Sequence, residues 1–291
     1  MKISPADVKE LRERTGAGML ECKNALEKAA GNIQEAIVYL RETGLAKADK
    51  RSSKLAAEGV VAIEHNANGE AIIIEANCQT DFVARAQLAE FAKEIVKKAL
   101  SEKIDTVEAL AEMALDSGST VDYARRELVN KSGENIQLRR LARVKSTHLI
   151  GTYVHSNRIG AIVELEGGDL NLAKDIAMHV AASNPKALNP EDVPAELVEA
   201  ERQIFTTQAA DSGKPAEIIA KMVEGRIKKF LGETCLLGQP YVKNPDQTVA
   251  DLLKEHKAKV ISFVRFEVGE GIEKEEVDFA AEVKAQVDAA R

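Results

Sequence analysis

The sequence predicts a multi-domain α+β fold with small antiparallel sheets, and three observations carry that expectation. A hairpin pattern of β-branched runs occurs twice at a fixed spacing, and each copy leads into a helix of related sequence. The first 55 or so residues show helical periodicity without a strand pattern, and residues 190–232 read as a pair of amphipathic helices. Apolar residues make up 45% of the 291 positions, aromatics only 4%, and Trp is absent, so the cores must be aliphatic. At roughly 150 residues per domain the length gives a prior of about two domains.

Ser4-Pro5 is a helix-start signal, and Val8 and Leu11 lead to a stop at Thr15-Gly16. Met19, Cys22 and Leu26 share the face of a second helix that ends near Gly31. Asn32 then caps a third, with Ile33, Ala36, Ile37 and Leu40 on one side and a stop at Gly44. The result is a three-helix bundle. Lys47–Lys54 is basic and lacks a core stripe, which predicts a solvated tether; RNA contact is the minority reading.

The repeat organises the middle of the chain. An offset of 90 places His65 on His155, Ala71 on Ala161 and Ile72 on Ile162. The helices that follow, starting Phe91-Ala-Lys-Glu-Ile and Leu172-Ala-Lys-Asp-Ile, are offset by 81, so the first copy carries nine more residues between hairpin and helix. Cys78–Arg85 falls in that excess, and extra loops on a shared scaffold are where function is sought. A strand over Asn135–Val144 is expected to pass between the copies. A fainter third echo is a strand over Ile261–Val268 and a helix from Asp278.

Beyond Pro190, a helix through Leu197, Ala200, Ile204 and Thr207 breaks at Ser212–Pro215 and a second runs through Ile218, Met222, Val223 and Ile227. A short break between two amphipathic helices predicts an antiparallel arm with modest burial. Thr248–His256 forms a last helix before the final strand. The expected domains are 1–55, 56–140, 141–189 with 233–263, an arm at 190–232, and a C-terminal strand and helix at 264–291.

Several chemistries are excluded. The formal charge of −7 and the scarcity of aromatics make broad nucleic-acid binding a poor fit. Charges occupy the N-terminus where a signal peptide needs apolar residues, and no run approaches a membrane span of roughly 18 residues, so a soluble cytoplasmic protein is expected. Cys22, Cys78 and Cys235 form no metal-ligand spacing and read as reduced thiols. There is no phosphate-cradling glycine motif, and Gly16-Ala17-Gly18 reads as a turn between helices. His65 and His155 have no nucleophile or carboxylate fixed beside them, and His179 lies in an apolar helix as a core or subunit-interface imidazole. No catalytic constellation assembles, so neither an enzyme nor a cofactor is expected.

Thr80-Asp81-Phe82-Val83 remains. The plain reading gives Asp81, which follows Thr80 at a helix start, a capping role and places Phe82 in the core. The functional reading notes that the chain has only seven Phe, and that an aromatic beside a carboxylate on an extra loop suits insertion into a partner.

Val8–Leu26, Cys78–Ala84, Ile176–Ala182 and Phe266–Ile272 are similar, in order and over essentially the whole chain, to bacterial translation elongation factor Ts. The resemblance implies a ubiquitin-associated-type N-terminal module, paired core subdomains and a coiled-coil arm. It implies guanine-nucleotide exchange on elongation factor Tu without covalent chemistry. The family's Asp-Phe pair enters between helices of the GTPase domain and disturbs its magnesium site. Asp81 and Phe82 match that pair, flanked by Thr80 and Val83, while Leu11, Met19 and Leu20 would dock the N-terminal module. One-to-one and two-to-two complexes, or a homodimer through the arm or the His179 helix, all remain compatible with the sequence. Two other readings stay open beside exchange. One is a passive scaffold carrying a ubiquitin-associated-like module; the other is RNA binding through Lys47–Lys54.

Overall fold

The computed structural model describes residues 3–210 and 215–273. Helix α1 (Pro5–Thr15) opens on a capping box: Ser4 Oγ accepts the Asp7 N–H at 3.1 Å, and the Asp7 carboxylate accepts the Ser4 N–H at 3.3 Å. Gly16, at φ +69°, closes it in the left-handed conformation that a side chain disfavours. Helices α2 (Met19–Lys28) and α3 (Ile33–Arg51) complete a bundle around Leu11, Cys22, Leu26, Ala36 and Leu40.

The third helix departs from expectation. It passes through Gly44 and takes in most of the predicted tether, leaving only Ser52–Lys54 outside it. Gly44 is a site of close approach, because a Cβ there would stand 2.7 Å from the Asn130 amide of helix α7 (Val121–Ser132). Arg51 then donates to the Val129 carbonyl at 3.1 Å, placing a cation on the last turn of α7, where the helix dipole favours one.

The core consists of two three-stranded antiparallel sheets. The first is β1 (Glu58–His65), β2 (Glu70–Cys78) and β3 (Gln137–Lys145), in that order. The second is β4 (Leu149–His155), β5 (Ile159–Glu166) and β8 (Lys259–Glu267). The stretch expected to pass between the copies is thus the third strand of the first sheet, and the C-terminal echo is its counterpart in the second. Ile72, Ile74 and Ala76 point to helix α5 (Ala89–Ser101), which with α6 (Val107–Glu112) and α7 covers the outer face of the first sheet. Ala161, Val163 and Leu165 point likewise to helix α8 (Leu170–Ser183). The alternate residues, Val61, Ala71, Ile73, Ile150, Ile162 and Phe266, meet between the sheets. Helices therefore enclose a double β layer.

The pairing corrects the repeat by one residue. Val60 faces Ala76 in the first hairpin and Leu149 faces Leu165 in the second, so the strand offset is 89. The register shift between Glu75 and Ala76 likewise falls on the one between Glu164 and Leu165. An offset of 90 sets inward Val61 on outward Gly151, because a one-residue slip exchanges the faces of a strand. His65 and His155 are consequently not equivalent, and the excess before the first helix is eight residues. Small β-branched residues on both faces of β2 hid the true phase.

Helices α9 (Ala195–Ala210) and α10 (Ala216–Thr234) pair along a short seam of Ala209, Val223 and Ile227. A two-stranded ribbon, β6 (Pro240–Tyr241) and β7 (Asn244–Thr248), and helix α11 (Val249–Glu255) lead to β8. Most of the expected break at 212–215 and the helix expected from Asp278 lie outside the described residues.

His179 on α8 is fully buried and belongs to the core. Its Nδ1 accepts the Val242 N–H at 3.2 Å, so the proton sits on Nε2, 3.0 Å from Gln239 Oε1. Burial holds its pKa below the ordinary 6.5 against the opposing Gln239 hydrogen bond. The unfolded chain therefore takes up the second ring proton, on Nδ1, more readily. The resulting stabilisation is complete above about pH 6.5 and is lost as pH falls through the lowered folded value. His179→Ala strands both partners and is expected to cost about 2–4 kcal/mol at pH 7.5. Urea unfolding at pH 7.5 and 5.5 checks this, since the difference between variant and wild type must narrow at the lower pH.

Candidate functional site

Strand β2 delivers the Thr80–Val83 segment. Thr80 is an N-cap in extended conformation, and Asp81, Phe82 and Val83 form the first turn of a helix, α4. A single π-type turn over Ala84–Leu88 then joins it to α5. The Val83 and Leu88 side chains are buried in the first core and fix both ends of this stretch. Phe82 points away at 79% exposure, against 7% for Phe91 one helix further on. It does not fill the core. Asp81 lies beside it and pairs with Arg85 at 2.9 Å, an exposed i,i+4 pair of little energetic weight. The plain reading thus fails for Phe82, and it misplaces the cap by one residue, since Thr80 and not Asp81 is the N-cap.

The backbone before Asp81 is held by one carboxylate. Glu134 Oε2 accepts the Gln79 N–H at 3.1 Å and the Thr80 N–H at 3.0 Å, and Oε1 accepts the Thr80 hydroxyl at 2.6 Å. Gln79 Oε1 in turn accepts the Asn135 N–H at 2.9 Å. The Asn135 amide donates to the carbonyls of Ser52 and Lys54, at 3.2 and 2.6 Å, and so ties the end of the N-terminal module to the same junction. Cys78 donates its thiol proton to the Thr80 carbonyl at 3.1 Å; burial and then the Glu134 charge push its pKa up to about 12, so it stays a thiol.

Three residues earlier, β2 carries Glu75, with no exposed side-chain area. Its carboxylate accepts from Arg139 at 3.0 and 3.2 Å, from Asn77 Nδ2 at 3.1 Å, from Arg140 Nε, and from the Gly269 N–H at 2.8 Å. Burial opposes its charge, but the Gly269 N–H and the Arg140 guanidinium outweigh that and hold the pKa below the ordinary 4.5. Gly269 reaches this position at φ +76°, where a Cβ would stand 2.4 Å from the Ala57 carbonyl. The Phe266–Ile272 segment is therefore the C-terminal half of a buried charge cluster.

The N-terminal candidates separate. Met19 and Leu20, 51% and 70% exposed, present an apolar pair at the start of α2. Leu11 is completely buried in the bundle. It offers no side-chain surface, and this corrects the docking role that the resemblance implied for it. His65 and His155 lie on different strands; His65 approaches the Thr152 hydroxyl at 3.5 Å, and His155 approaches the Tyr153 hydroxyl at 3.3 Å and stacks on its ring. A groove of about 960 Å³ between the bundle and the first core half is lined by Ile37, Leu40, Phe91 and Tyr123 but by neither Asp81 nor Phe82. The Asp-Phe pair is a protrusion. Among the described residues no cluster of three His, Cys, Asp or Glu side chains is placed to hold a metal, and no helix is long and apolar enough to cross a membrane.

Sequence reasoning missed Glu134 and Glu75. The available signal for Glu134 was a polar Glu-Asn pair between the capping Gly133 and the apolar start of β3. For Glu75 it was a lone acid directly after Ile72–Ile74 within a strand pattern.

The family model described as elongation factor TS matches residues 79–270. Over nearly the whole chain the sequence is similar to elongation factor Ts of Methylococcus capsulatus, at 53% identity over 290 residues and 99% of both chains. It is likewise similar to elongation factor Ts of Legionella pneumophila (strain Paris), at 54% over 287 residues and 98% of both. The Aeromonas hydrophila protein of the same name is 54% identical over 290 residues, 99% of this chain and 98% of its own.

Proposed function

The chain belongs to the elongation factor Ts family of bacterial translation factors, and from that premise we propose that it is the guanine-nucleotide exchange factor for elongation factor Tu and works by inserting Asp81-Phe82. The observation that carries the reading is the presentation of Phe82. An aromatic ring stands in solvent on a helical turn whose neighbours are locked into the core. A ring in that position contributes little to the factor's own stability and gains its apolar burial only in a partner.

Exchange requires tighter binding to the nucleotide-free partner than to the GDP-bound one, because equal affinity shifts no population. The coupling is reciprocal: whatever the factor costs GDP in affinity, GDP costs the factor. Phe82 supplies the wedge between helices of the GTPase domain. Asp81, held beside it, supplies a carboxylate that competes for the donors and the cation around the phosphates; disturbing the magnesium ion there weakens a strong electrostatic contact. Met19 and Leu20 dock the N-terminal module. No bond to the nucleotide is made or broken.

Release of fluorescent GDP from elongation factor Tu, with the factor at about one-twentieth of the partner concentration, tests the function. Many release events per factor molecule are expected. One event per factor, or none, would identify a passive binder.

A further inference from the structure

We propose that Glu134 is a positioning residue for exchange: its carboxylate fixes the Gln79–Thr80 backbone so that Asp81 and Phe82 are presented ready for insertion. The inference rests on the exchange reading and adds to it a residue that never reaches the partner's nucleotide site.

Asp81–Val83 is the first turn of a helical run that continues through the π-type turn to Ser101, and the first N–H groups of a helix have no partners within it. Buried Val83 and Leu88 anchor that run from its far side, and Glu134 restrains the chain that enters it. Gly133 ends α7 at φ +80° and turns the chain, and Ser132 Oγ accepts the Glu134 N–H at 3.2 Å, which directs the carboxylate to the end of β2. Its two oxygens then take three donors, all on the two residues preceding Asp81. These are charge-assisted bonds, the stronger class. The Thr80 hydroxyl is used twice: it donates to Glu134 and accepts the Val83 N–H at 3.5 Å, so the clamp and the cap share one atom. Freeing the backbone of one residue corresponds to about a tenfold loss in the population of a required conformation. The clamp acts on two, but Gln79 keeps its bond to the Asn135 N–H when the carboxylate is gone, so about one residue's share is at stake.

Glu134→Ala and Glu134→Gln, each made also with Phe82→Ala, test the assignment by stimulated GDP release and by amide hydrogen exchange. Glu134→Ala is expected to lower the maximal stimulated rate about tenfold with KM changed less than about twofold, since docking elsewhere is intact. The amides of Gln79 and Thr80 should exchange faster in the same variant. Glu134→Gln should recover most of the rate. Its carbonyl can take the two N–H groups while its NH2 donates to the Thr80 hydroxyl, which accepts as readily as it donates. With Phe82 already removed, Glu134→Ala should cost less than about a further twofold, because the two act as a unit. A wild-type rate for Glu134→Ala, or a full tenfold loss without Phe82, overturns the assignment; the second result would mark a general structural role. If Glu134→Ala melts too low to assay, Glu134→Asp carries the same expectation, as it keeps the charge but shortens the reach. Failure of the exchange reading shows separately, as a wild-type rate for Phe82→Ala alone.

Discussion

Phe82→Ala is expected to slow stimulated GDP release by about 30-fold or more while leaving the melting temperature unchanged. Truncating a central aromatic anchor typically costs about 2–4 kcal/mol of binding, and about 1.4 kcal/mol is tenfold. The folded factor loses almost nothing, because the ring is 79% exposed and a surface substitution changes stability by no more than about 0.5 kcal/mol. The two readouts must therefore separate. Asp81→Ala is expected to act in the same direction by about tenfold, the share of one charge-assisted contact, and the Arg85 pair it breaks is too exposed to matter to the fold. Because ring and carboxylate enter together, the double substitution should fall short of the product of the singles. Removing magnesium should also narrow the gap between wild type and Asp81→Ala, since the contact to be disturbed is then already gone. Stopped-flow release gives all of these rates. A double variant at the wild-type rate would end the wedge assignment.

Glu75→Ala should be the most damaging single change to the fold. It removes the counter-charge of Arg139 and one of the two of Arg140, which keeps Glu270, and it leaves the Gly269 N–H without an acceptor. Breaking a buried ion pair from one side costs about 3–5 kcal/mol, which for a protein of this size lowers the melting temperature by about 10 °C. Glu75→Gln keeps the shape and one acceptor and should fall between. The pH dependence has a definite sign. The folded pKa lies below the ordinary 4.5, so the carboxylate's stabilisation is present above that value and is lost as pH falls through the folded one. Calorimetry at pH 7 and in steps below pH 4.5 reads both effects. A Glu75→Ala protein that melts with wild type would mean that the cluster is satisfied by water.

Much of this was legible in the sequence because each element carried a local signal. Ser4-Pro5 and Gly16 bracket α1, and alternating β-branched runs mark both hairpins. What sequence lacked was information held between elements. Gly44 reads as a stop, and only the approach of Asn130 shows it to be a contact. The phase of β2 is ambiguous because both its faces are buried, so an alignment by residue identity settled one position away from the alignment by hydrogen bonds. Of the site, the exposed ring and its carboxylate follow from their place on an extra loop. The clamp does not, since Glu134 and Thr80 are 54 positions apart. The docking role of Leu11 came from the resemblance, and its burial depends on the neighbours that cover it in the bundle.

The bond from the Gly269 N–H to Glu75 spans 194 residues of chain. A ribosome adds about 5–20 residues per second, so the carboxylate emerges roughly 10–40 s before the amide that completes its shell. Until then Glu75 has only the guanidinium and amide partners of its own half, and the shell of the buried charge closes when the turn after β8 arrives.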